Sequence, residues 1–175
     1  MDKKENPLEE LKQLEKELAD RKKEQRRQRN PIRGECLKVV DASLVITDPC
    51  YIVKGDDAWS KFCDDVPYDR PVKGIYGGLD MIVASTLWGD WCCELNTVRP
   101  KKRLGMFTAD AGMVCVANVT PEVWKLLKKL PKTCYTVLDH FSGAVSIIHQ
   151  KGVCRVEGSG LLGSKKVSFR STQVG

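Results

Sequence analysis

Three aspartates sit where the chain must change direction. Asp48 lies in Thr47-Asp48-Pro49-Cys50-Tyr51 after an apolar run, Asp90 in Ser85-Thr86-Leu87-Trp88-Gly89-Asp90-Trp91, and Asp110 in Thr108-Ala109-Asp110-Ala111-Gly112. If the strand ends that carry them share one side of a sheet, their carboxylates converge on a hydrogen-bond donor or on a hard cation, Mg2+ or Ca2+. A cation held there would activate water for phosphoester hydrolysis. Tyr51 and Trp88 lie in the same turns and offer rings on which a base or sugar stacks. Asp48, Tyr51, Trp88, Asp90 and Asp110 therefore form the candidate ligand site, and the three aspartates the candidate metal site. The local alternative is that Asp48 closes an Asx turn ahead of Pro49, Asp90 fills a turn with Gly89, and Asp110 sits in a bulge before Gly112, each satisfying backbone amides.

Nucleophilic chemistry has weaker support. Asp139, His140 and Ser142 fall within four residues, whereas triad members come from separate loops to gain their geometry. The stretch reads as a hairpin turn. Cys50 is a lone loop cysteine, with His140 or His149 as its only histidine bases. Eight cysteines without a C-x2-C pair, and only two histidines, do not compose a structural zinc site. Cys115, Cys134 and Cys154 read as small buried residues on strands, and adjacent Cys92 and Cys93 as pointing to opposite faces of one. No catalytic residue is assigned, and the balance leans away from an enzyme.

The elements that must position these turns are mostly strands. Runs at 37–40, 43–47, 80–86, 91–95, 104–109, 113–119, 134–138, 144–148, 153–157 and 166–169 have β-type composition, the first two being separate or one bulged strand. Two short helices interrupt them. Asp56 to Cys63 opens with capping carboxylates and puts Trp59, Phe62 and Cys63 on one face. Thr120 to Leu130 has Thr at the cap and Pro in the first turn, with Val123, Trp124, Leu127 and Leu130 as its buried stripe. The expected class is α+β with β dominant: a mostly antiparallel sheet, sandwich or open barrel. No G-x-G-x-x-G follows a strand and no P-loop occurs, which argues against a Rossmann or P-loop enzyme.

Residues 1–33 differ from the rest, with eleven Lys or Arg, eight Asp or Glu and no aromatic. Leu8, Leu11, Leu14 and Leu18 recur at helical spacing, acids precede bases, and Asn30-Pro31 ends the pattern, so a helix is expected over 7–28. The organisation is thus a charged helical arm, 1–33, and one globular domain, 34–175. Arg21, Lys22, Lys23, Arg26, Arg27 and Arg29 form the only dense basic cluster, a surface for nucleic acid or an acidic partner, or simply a solvated face. The leucine stripe would serve a homo-oligomer or a host protein, and is too short for a strong coiled-coil reading. No stretch is long and apolar enough for a membrane span or export signal, so a cytoplasmic location without membrane contact is expected.

The turns Asp48-Pro49-Cys50-Tyr51, Thr86-x-x-Gly89-Asp90 and Asp110-Ala111-Gly112, followed by Phe141-Ser142-Gly143, resemble in this order a loose group of short uncharacterised bacterial and phage proteins. The resemblance covers residues 36 to about 172, and Trp91 stands where the group carries Gly. It implies a compact β-rich fold and a bacterial cell or phage-infected host, and no reaction. Three functions follow for testing. The first is a non-enzymatic binding protein for a small anionic or nucleotide-like ligand or a host protein, such as a modulator of host machinery or defence. The others are a metal-dependent phosphoester hydrolase using the aspartates, and an assembly component docking through its N-terminal helix.

Overall fold

A computed structural model describes residues 7–87 and 89–174, with side chains in the first helix described for residues 9 and 12–23. That helix, α1, runs Pro7–Arg29 and stops before Pro31, whose ring disfavours helical geometry at Asn30. Its side chains from 12 to 23 are all exposed, Leu14 at 61% and Leu18 at 56%. The chain then joins the body at once. Strand β1, Ile32–Arg33, pairs with His149 and Ile148, inside the segment expected to be arm.

The body is β2 (Leu37–Thr47), α2 (Asp56–Asp65), β3 (Val72–Tyr76), β4 (Leu79–Ser85), β5 (Trp91–Thr97), β6 (Arg103–Ala109), β7 (Met113–Asn118), α3 (Pro121–Leu127), β8 (Tyr135–Gln150), β9 (Val153–Leu162) and β10 (Lys165–Val174). The strands form one open antiparallel sheet in the order β3-β4-β7-β2-β8-β9-β10-β5-β6, with β1 beside β8. The sheet coils until β6 meets the start of β8. There Thr136 Oγ1 donates to the Met106 carbonyl at 2.8 Å, and a Cβ on Gly105 would lie 2.4 Å from that hydroxyl oxygen.

Two cores result. Inside the coil lie Leu44, Ile46, Leu95, Phe107, Val156 and an edge-on pair, Phe141 and Phe169, with centroids 5.7 Å apart. The opposite face of β2, β4 and β7 presents Val45, Val83 and Cys115 to Phe62 of α2 and to Val123 and Leu127 of α3. Buried on both faces, these strands read as continuous apolar runs rather than alternating ones.

Several local expectations are corrected. The stretch around Asp139-His140-Phe141-Ser142-Gly143 is no hairpin: β8 runs through it, and β2 runs through Asp41 opposite. Asp41 and His140 take positive φ of 44° and 52° and absorb the register shift, while Phe141 stays buried. Strand β3 was not anticipated, although its hairpin to β4 turns on Gly77 and Gly78, both at positive φ. Helix α2 starts from Gly55 without a side-chain cap, so Asp56 and Asp57 act on the helix dipole instead. Phe62 faces the core, Trp59 stacks on it at 5.1 Å, and Cys63 is exposed. In α3, Thr120 Oγ1 accepts from Val123 N at 3.2 Å, as a cap should. Trp124 is exposed rather than buried, with Lys128 Nζ 5.6 Å from its ring centroid. All eight cysteines are free; Cys93, Cys115 and Cys154 are buried, whereas Cys134 precedes β8 and is half-buried.

Candidate functional site

The ends of β2 and β4 and the start of β7 lie on one edge of the sheet, because Thr47 pairs with Cys115 and Ser85 with Met113. The three turns beyond them interlock. Asp48 is fully buried and caps a 3-10 turn over Pro49–Tyr51: its Oδ1 accepts from Cys50 N at 2.8 Å, and its Oδ2 accepts from Ala111 N at 2.7 Å. Tyr51 donates its hydroxyl to Asp110 Oδ2. Thr86 N donates to the Gly112 carbonyl at 2.8 Å, and Thr86 Oγ1 lies 2.6 Å from the Gly89 carbonyl.

The turns converge, yet their carboxylates do not compose a cation site. Both Asp48 oxygens are taken by backbone N–H groups, Asp110 is held by Tyr51, and Asp90 is exposed. Among the described residues no group of three or more His, Cys, Asp or Glu side chains is arranged to hold a metal ion. The Mg2+ or Ca2+ site expected of Asp48, Asp90 and Asp110 is therefore not assembled, because Asp48 serves as the acceptor that ties two turns together. Trp88, and Arg26, Arg27 and Arg29 as side chains, lie outside the described residues; Arg21, Lys22 and Lys23 are exposed.

Electrostatics at the cluster oppose nucleophilic chemistry. Burial raises the Asp48 pKa against the pull of the Cys50 and Ala111 N–H groups. Burial, then the charges of Asp48 and Asp110, push the Cys50 thiol far above its ordinary range, which disfavours the nucleophilic thiolate. Iodoacetamide on the folded protein near pH 8 is expected to modify exposed Cys63 and to spare Cys50, Cys93, Cys115 and Cys154. Peptide mapping checks this, and early modification of Cys50 would contradict it. No triad forms either: His140 Nδ1 lies 3.0 Å from Asp41, Asp139 accepts from Ser43 Oγ, and Ser142 Oγ accepts from Asp41 N. His149 is buried with Nε2 2.8 Å from the Ser85 carbonyl, and burial lowers its pKa.

A second constellation, on the outer side of β8, β9 and β10, was missed by sequence reasoning. Two adjoining hollows of about 680 Å3 and 280 Å3 share Val98, Ser159 and Ser168. Arg33, Arg99, Lys166 and Arg170 line them. The β5–β6 loop forms one wall, fastened by Val98 N to the Ser168 carbonyl at 2.8 Å and by Lys102 N to Thr97 Oγ1 at 2.9 Å. At one end the Glu157 carboxylate, 17% exposed, is ringed by three guanidinium groups: Arg155 Nε at 2.7 Å, Arg170 Nε at 2.9 Å and Arg33 Nη2 at 3.6 Å.

The local signal for this wall is the run Arg99-Pro100-Lys101-Lys102-Arg103, four basic residues in five, which corrects the reading of the α1 block as the only dense basic cluster. The other cations alternate with core residues. Lys166, Ser168 and Arg170 face outward while Val167 and Phe169 pack inward.

Comparisons of the chain with protein-family models, with curated proteins and with solved structures find no match. Among the described residues no helix is long and apolar enough to cross a membrane.

Proposed function

We propose that this chain is a non-enzymatic binding protein that takes a small anionic or nucleotide-like ligand in the groove over β8, β9 and β10. The reading is carried by one observation: three guanidinium groups already surround an anion there, the Glu157 carboxylate. Arginine forks suit carboxylate and phosphate alike. An incoming phosphate competes with Glu157 for the same guanidinium charges, so the glutamate sets a threshold that neutral or weakly charged molecules do not cross.

A thermal-shift series with nucleotides, pyrophosphate and neutral sugars tests it. A ligand at about one hundred times its Kd stabilises the native state by about 2.7 kcal/mol, which raises the melting temperature of a chain this size by about 5–10 °C. Glu157→Gln is expected to melt lower without ligand, since three arginines lose their partner, and to show a larger shift with a phosphate ligand. Flat curves for every anion, or shifts unaffected by Arg170→Glu, would remove the reading.

The exposed Leu14 and Leu18 of α1 favour a second role, docking of a homo-oligomer or host protein. Sedimentation of the whole chain against a Leu14→Glu, Leu18→Glu variant tests it, identical mass for both counting against self-association.

A further inference from the structure

We infer that the occupant of this groove is a single-stranded nucleic acid held along its phosphate backbone, an inference that rests on the reading just given and narrows it. Arg33, Arg155 and Arg170 gather at Glu157, and Arg99 and Lys166 flank the far hollow at Leu161. Arg170 pairs in register with Glu157 and Lys166 with Leu161, so the two cationic poles stand four residues apart on both strands. At a rise of about 3.4 Å per residue that is about 14 Å. The contiguous phosphates of one nucleotide engage one pole. A chain of phosphodiesters engages both.

The surface between the poles agrees with a strand lying flat. It is lined by Ala144, Ser159 and Ser168, whose small side chains let a backbone approach and offer hydroxyls to phosphate oxygens. Lys101 and Lys102 are exposed on the same β5–β6 loop that carries Arg99 and add positive charge to that wall. Among the described residues, Phe169 is the only aromatic lining either hollow, and it is buried in the core beneath. Bases therefore find no stacking platform, and recognition rests on charge and is indifferent to sequence. A duplex carries its phosphates on a convex rod that meets a hollow only at its rim, so the single strand is the better fit.

Fluorescence anisotropy of the whole protein with a labelled twelve-residue oligodeoxythymidylate, competed by thymidine monophosphate and by a duplex of equal length, tests this. The oligonucleotide is expected to bind at least about tenfold more tightly than the mononucleotide. Log affinity should fall with log salt at a slope of about −3, from about four neutralised phosphates at about −0.7 each.

The double variant Arg99→Glu, Lys166→Glu removes the far pole. It should weaken the oligonucleotide at least about tenfold and leave the mononucleotide, which sits at the Glu157 end, within about twofold; that second number also verifies the variant's fold. Arg21→Glu, Lys22→Glu, Lys23→Glu on α1 should leave oligonucleotide affinity within about twofold. Equal affinity for mononucleotide and oligonucleotide would overturn the strand inference and leave the anion-binding reading standing, whereas no binding of either would remove both. Preference for the duplex, or loss of binding in the α1 variant instead of the groove variant, would also overturn it.

Discussion

Gly160→Ala is expected to lower the melting temperature by about 6–12 °C with a two-state transition retained. Gly160 of β9 pairs with Gly143 of β8, and the two backbones approach until no side chain fits between them. A Cβ on Gly160 would lie 2.1 Å from the Ser142 carbonyl oxygen and 2.7 Å from Gly143 Cα, while one on Gly143 would lie 2.3 Å from the Ser159 carbonyl oxygen. The obstacles are backbone atoms, so no rotamer change relieves them. The strands must part, beside the buried rings of Phe141 and Phe169. Overpacking of this kind costs about 3 kcal/mol at its upper usual range, and each kcal/mol moves a chain of this length by about 2–4 °C. Gly163→Ala is the informative control. Gly163 has φ of +60° but nothing within 4 Å of an added Cβ, so only a left-handed backbone cost of about 1 kcal/mol applies. If both variants melt alike, the close approach of β8 and β9 is not what holds the coil. Because Gly160 also lines the larger hollow, the variant should lose ligand affinity along with stability.

The contrast between what could and could not be read from the chain follows the same physics. Helix α1, the α3 cap at Thr120 and the two-sided apolar strands announce themselves through local propensity and period, and they stand where the residues place them. The Asp139-to-Gly143 stretch misleads because its residue types favour turns, while the outcome is decided by partners nearly a hundred residues away: Asp41 opposite His140, and Ser43 donating to Asp139. The three aspartate turns were legible as turns, and their meeting was a fair inference. The use of Asp48 was not, since whether a carboxylate faces a cation or two amides depends on the path of the 110–112 turn. The groove was the least legible feature. Arg33, Arg99, Glu157, Lys166 and Arg170 are scattered over most of the chain, and strand pairing alone assembles them.

Asp48→Ala is expected to cost about 4 kcal/mol and to loosen the 110–112 turn before the rest of the molecule. The carboxylate satisfies two buried donors, Cys50 N and Ala111 N, in segments sixty residues apart. Each donor left unmade costs about 1–3 kcal/mol. Asp48→Asn separates the two bonds, because its single amide oxygen serves one N–H while its NH2 group turns a donor toward the other; about half the loss should remain. The pH dependence has a definite sign. Burial raises the folded pKa of Asp48 above its ordinary value of 3.8, so the native state binds its proton more tightly than the unfolded chain does. The wild type is thus favoured by this group below about pH 4 and loses that advantage as pH rises through the raised pKa. Asn has no such titration, so the stability gap between wild type and Asp48→Asn should be widest in acid and narrow toward neutrality. Denaturant melts at pH 3.5, 5 and 7, with amide exchange at Ala111 as the local probe, read both effects. A gap that widens toward neutral pH would mean that the ionised carboxylate is the favoured native form, and unchanged Ala111 protection would mean that the turn is held by Thr86 and Gly112 alone. The expected pattern makes Asp48 a clamp between turns, with its oxygens committed to the fold, and sets it apart from the guanidinium-lined groove in which we propose that a ligand binds.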